Sequence, residues 1–156
     1  MKKIKAFTLI EVLIYSALTS IIIVYSLGGV YSLIQGSAQL QDRAIIDQEA
    51  NFLLKKIGWS LSSLQEITTP PSGGSDDVLT VSRYNFSSNP ITFDLNSGNL
   101  RMKVGTDSAI ILNNDRTVID NLTFDHIAAT ATTPTGVKTT MSINSRIYTM
   151  TIYRNE

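Results

Sequence analysis

Among its 156 residues the chain has no cysteine. Disulfide staples and thiolate metal sites are therefore excluded, and the fold has to stand on its apolar core. Histidine occurs once, at His126 beside Asp125, with no cysteine and no G-x-S-x-G serine to activate. It reads as a structural or surface histidine, and the chain reads as no enzyme. A phosphate-cradling loop is missing too, because Gly73-Gly74 stands in a Pro/Ser-rich stretch without the G-K-[ST] that sets a lysine on phosphates. Basic charge is not in excess: Lys+Arg and Asp+Glu number 13 each, and without Lys2, Lys3 and Lys5 the count is 10 basic to 13 acidic. No nucleic-acid partner is indicated by that balance.

Two further shortages coincide at the amino end. Proline is absent from Phe7 to Glu66, and from Phe7 to Ile34 charge is absent as well, apart from Glu11. A spanning helix needs about 20 apolar residues, so this run is long enough to cross a bilayer and project beyond it. The apolar region of a signal peptide is only about 7 to 15 residues, so the segment reads as retained. Lys2, Lys3 and Lys5 would keep the amino end in the cytoplasm and send the remainder outward, giving a single-pass membrane protein with its head outside. Glu11 is the anomaly. An ionised carboxylate at the edge of hydrocarbon costs on the order of 2 to 3 kcal/mol, and such a group calls for a partner.

After Gly36 the pattern turns amphipathic, with Ile46, Ala50, Leu53, Ile57, Leu61 and Leu64 at steps of three or four. A second seam, Ile45, Phe52 and Trp59, repeats every seven and would widen the core stripe, the expected outcome, or face a neighbour. One nearly continuous helix of about 60 residues, roughly 90 Å long, is predicted, with Gly28, Gly29 and Gly36 as its weak points. Thr68 to Gly74 would end it in a loop. From Asp77 onward the residues alternate as strands: Val78 to Tyr84, Ile91 to Leu95, a turn at Asn96-Ser97-Gly98-Asn99 into Leu100 to Val104, then Ala109 to Leu112, Val118 to Ile127, Val137 to Asn144 and Arg146 to Arg154. Ala128 to Gly136, rich in Ala, Thr and Pro, is expected to be an exposed loop. The fold class is α+β: a long amino-terminal helix, membrane-spanning in its first half, packed on an antiparallel β-sheet head. The segments are 1–6 as a leader, 7–34 as the span, 35–66 as the amphipathic helix and 67–156 as the β-rich head, with 35–156 forming one globular domain.

Lys5-Ala6-Phe7-Thr8-Leu9-Ile10-Glu11-Val12, behind a short basic leader and ahead of a long helix and a β-rich tail, resembles the amino-terminal processing motif of type IV pilins and of the pseudopilins of type II secretion. The resemblance implies a pilin-like fold, cleavage between Ala6 and Phe7 by a prepilin peptidase, and methylation of the new amino group of Phe7. It also implies assembly with other pilin or pseudopilin subunits into a filament, on an inner-membrane assembly platform, the filament lying in the periplasm or at the cell surface. In that setting Glu11 would meet the positive amino terminus of a neighbour or of its own chain, since an opposite charge within about 4 to 6 Å favours the ionised carboxylate. One departure stands out: Ala6 occupies the position where the family nearly always has glycine. The absence of cysteine and the stretches Gln41-Asp42-Arg43 and Phe52-Leu53-Leu54-Lys55-Lys56 look most like a minor pilin or J-type minor pseudopilin.

No cofactor is implied. Calcium is the one inorganic option the oxygen-rich turns raise, through Asp76 and Asp77, through Asp94, Asn96 and Asn99, or through Asn113, Asn114 and Asp115. Each group is equally what a turn requires. Besides a filament subunit, two readings remain open: a recognition module at the filament tip or cell surface, binding DNA, a substrate or another cell through Ala128 to Gly136, and a single-span membrane protein that never polymerises.

Overall fold

The computed structural model describes residues 8–154. Helix α1 (Leu9–Leu61) is followed by nine strands: β1 (Leu64–Thr69), β2 (Ser75–Asp76), β3 (Leu79–Arg83), β4 (Ile91–Asn96), β5 (Asn99–Val104), β6 (Ile110–Ile111), β7 (Ile119–Ile127), β8 (Gly136–Ile143) and β9 (Arg146–Tyr153). The chain divides into two compact units, one up to Ala44 and one from Ile45 onward, and α1 runs through the boundary.

The second unit is the head, and its core follows from the amphipathic stripe. Ala50, Leu53, Ile57, Leu61 and Leu64 are all buried, joined by Leu54 on the flank. Against them lie Leu79, Val81, Ile91, Phe93 and Leu100 from one sheet and Ile119, Leu122, Phe124, Val137, Met141 and Ile143 from another, in one continuous cluster. The α+β class is as expected, but the strands form two antiparallel sheets rather than one: β1-β3-β4-β5-β6 and β2-β7-β8-β9. The β4–β5 hairpin closes as its sequence predicts, with Asn96 opposite Asn99 and positive φ at both Ser97 and Gly98, as a two-residue primed turn requires.

Two sequence expectations need correction. The helix stops at Leu61 rather than reaching Glu66, and Leu64–Thr69 is a strand, not the end of a helix and a loop. The stop falls among serines, where the hydroxyls of Ser60 and Ser62 donate to the Ile57 and Trp59 carbonyls, and just beyond it Leu64 pairs with Arg83 of β3. Leu64 keeps its place in the core from a different backbone conformation. The second seam also departs from expectation. Ile45, Phe52 and Trp59 remain 38%, 43% and 41% exposed, so they do not widen the core stripe.

These placements set unequal costs for substitution. Ile57→Ala is expected to destabilise the head by about 2 to 5 kcal/mol, because it opens a cavity under both sheets. Phe52→Ala should cost less than about 1 kcal/mol. Gly136→Ala should cost about 1 to 3 kcal/mol by overpacking, because its new methyl would stand 2.7 Å from the Ile152 carbonyl oxygen and 2.8 Å from the Tyr153 ring. Urea unfolding of the three variants checks the order.

Candidate functional site

The amino-terminal segment is built around the start of α1. Thr8 sits just outside the helix; its carbonyl oxygen accepts from the Glu11 and Val12 amides, and its Oγ1 accepts from the Glu11 amide at 3.4 Å. Thr8 is thus the N-cap and Glu11 the third helical residue, the T-x-x-E spacing of a capping box. A carboxylate in the first turn also faces the positive end of the helix dipole, worth roughly 0.3 to 1 kcal/mol. This role of Thr8 was legible in the spacing of Thr8 and Glu11, although the expectation from sequence assigned Glu11 only an amino terminus as partner, that of a neighbour or of its own chain. Ala6 and Phe7, the processing residues inferred from the motif, lie outside the described residues.

From Leu9 to Ile34, Glu11 apart, the helix is largely apolar and unpacked. Leu9, Ile10, Val12, Leu13, Ile14, Leu18, Ile21, Ile22, Val24, Leu27 and Leu33 are each more than half exposed. The hydroxyls of Ser16, Thr19 and Ser20 turn back onto the carbonyls of Leu13, Tyr15 and Ser16, so these polar groups are satisfied within the helix itself. That is what a hydrocarbon surrounding demands. The helix is long and apolar enough to cross a membrane.

In the head, single polar side chains tie loops to the two sheets. Asp47 accepts hydrogen bonds from the Tyr148 hydroxyl at 2.5 Å and from Arg146 at 3.4 Å, and Glu49 accepts the Asn114 amide at 2.9 Å. Partial burial, and then the Asp47 hydrogen bond, push the Tyr148 hydroxyl above the ordinary tyrosine value, with Arg146 acting in the opposite sense. His126 has its Nδ1 2.8 Å from the Pro70 carbonyl oxygen and its Nε2 3.1 Å from the Thr135 hydroxyl. It bridges two connections, as a structural histidine does.

The oxygen-rich turns are engaged in the same way. Asp94 pairs with Arg101, Asp76 accepts the Val78 amide, and buried Asn113 accepts the Leu100 amide while donating to the Thr117 carbonyl and to Asn99. Among the described residues no group of three or more His, Asp or Glu side chains converges as a metal site. The 128–135 connection is largely exposed and, with Tyr84 and Arg154, lines an open cleft of about 940 Å³.

Residues 1–27 match the family described as the prokaryotic N-terminal methylation motif. No curated protein and no solved structure matches the chain. The amino-terminal segment therefore carries a methylation motif of the type IV pilin-like kind, and the apolar helix that begins within it is consistent with a single-pass membrane anchor.

The Asp47–Tyr148 contact predicts a pH signature. The folded-state value of Tyr148 lies above the unfolded one near 10, so its stabilisation is complete below about pH 10 and fades as pH climbs through the folded value. Tyr148→Phe should lose about 1 kcal/mol at pH 7. The gap to the parent should narrow in alkali, as thermal unfolding across pH 7 to 11 would record.

Proposed function

We propose that the chain is a filament subunit of the type IV pilin class, processed between Ala6 and Phe7 and polymerised through the amino-terminal half of α1. Its partners in this reading are other pilin or pseudopilin subunits, the prepilin peptidase and the inner-membrane assembly platform. The observation that carries it is the combination of the methylation motif at residues 1–27 with a single acid, Glu11, in the first turn of a helix whose apolar residues up to Ile34 are exposed. Cleavage would create a positive amino group at Phe7, four residues from Glu11. The dielectric falls when helices pack together, so a pair of this kind is stronger there than in water. The N-cap geometry at Thr8 supports the same reading, because it holds Glu11 in the first turn whether or not the amino group is present.

Within that class the chain fits best as a minor pilin or minor pseudopilin. Support comes from the lack of any cysteine for a carboxy-terminal disulfide loop and from the stretches Gln41-Asp42-Arg43 and Phe52-Leu53-Leu54-Lys55-Lys56 of the long helix. The subunit would reside in the cytoplasmic membrane, head outside, before extraction into the filament.

Mass spectrometry of the membrane-extracted protein should find Phe7 as the amino-terminal residue with one added methyl group. Retention of residues 1–6 in cells with an active peptidase would overturn the processing. Ala6→Gly should raise the processed fraction. Glu11→Ala should leave cleavage intact and cut incorporation into filaments at least tenfold; unchanged incorporation would remove Glu11 from the assembly step.

A further inference from the structure

The exposed seam of α1 does not stand alone. Phe52, Lys55, Lys56 and Trp59 form one wall of a cleft of about 350 Å³ whose other side is Met102 on β5. Arg83, at the end of β3, lays its guanidinium 4.1 Å from the centre of the Trp59 ring and 5.7 Å from that of Phe86, and Phe86 meets Trp59 edge to face at 5.9 Å. Lys56 stands over Phe52 at 5.7 Å. The surface is thus apolar at its centre and cationic around it.

Three features mark it as built for a ligand. Among the described residues the ion pairs are Arg101–Asp94 and Arg146–Asp47, so Lys55, Lys56 and Arg83 are without a carboxylate partner. This occurs on a head that carries 11 acidic and 9 basic residues from Ile45 onward. The Nε of Arg83 is buried with no hydrogen-bond partner, and its Nη2 reaches only the Ser62 hydroxyl at 3.4 Å. Lastly, Arg83 is held in place: Asn89 ties its backbone amide at 2.9 Å and its backbone carbonyl at 2.8 Å, and its guanidinium is stacked against the Trp59 and Phe86 rings. An anchored arginine loses less freedom on binding than a free one.

We infer that this cleft docks an acidic segment of another protein, with an apolar or aromatic side chain seated between Phe52, Trp59 and Met102 and flanking carboxylates on Lys55, Lys56 and Arg83. Trp and Arg beside an apolar pocket are the residues that dominate protein interfaces. The charge selects an acidic partner. The acidic excess of the head, 11 acidic to 9 basic residues from Ile45 onward, disfavours a nucleic acid. The inference is independent of the filament reading, because processing at Ala6 and docking in the head are scored by different measurements.

Trp59 is the sole tryptophan of the chain, so its emission reports the cleft directly. The full chain in zwitterionic-lipid nanodiscs would be titrated with a ten-residue Asp/Glu peptide carrying Phe and Leu at its centre, with the same peptide bearing Lys for each acid, with a 20-residue oligothymidylate, and with phosphatidylglycerol vesicles. The acidic peptide should shift Trp59 emission to shorter wavelength and saturate. Lys55→Glu with Lys56→Glu should weaken that binding at least tenfold while leaving the unfolding midpoint unchanged, and Arg83→Gln should weaken it at least threefold. An equal response to the Lys peptide, a response only to oligothymidylate or vesicles, no saturable response at all, or full binding by the double Lys variant would each overturn the inference.

Discussion

Burial of one helix stripe organises the head. Ala50, Leu53, Ile57 and Leu61 carry apolar residues of both sheets in a single cluster, so neither sheet has a core of its own apart from α1. Without disulfides, the area those side chains remove from water is the main stabilising term, about 25 cal/mol for each Å². Close approach is part of the same constraint. A methyl at Gly58 would stand 3.1 Å from the Ile152 side chain, so the absence of a side chain there lets β9 lie near the helix.

Because the stripe is narrow, the rest of the helix circumference is left to other work. On the head, the flank opposite the core carries Phe52, Lys55, Lys56 and Trp59 in partial exposure. Up to Ile34 the apolar surface runs almost all the way round, as a helix surrounded by lipid or by other helices requires. Glu11 sits at the start of that surface with two electrostatic ties: the positive end of its own helix and, in the filament reading, the amino group released at Phe7. The first is local and permanent. The second depends on processing.

Polar residues of the head serve the connections. Asn89 closes the β3–β4 link onto Arg83, Asn113 fastens the segment after β6, and His126 joins the connection after β1 to the one after β7. Each has backbone carbonyls or amides as partners, which is how irregular chain buries its polar groups without a ladder. The turns that looked in sequence like sources of calcium ligands are engaged at Asp76 and Asn113 by backbone amides and at Asp94 by the Arg101 side chain.

What the sequence by itself determined is what is periodic or local: the apolar run and its lone acid, the core stripe at steps of three and four, the Ser97-Gly98 hairpin, and the motif at the amino end. Those follow from side-chain spacing and backbone preference, which neighbours along the chain suffice to express. Tertiary structure decided where α1 stops, since Leu64 continues the helical period while pairing with Arg83 draws it into β1. It also decided that the strands divide into two sheets, because pairing partners far apart in sequence leave no local mark. The fate of the seven-residue seam was likewise decided there: whether Phe52 and Trp59 enter a core depends on how far the sheets reach round the helix, and they stop short of them.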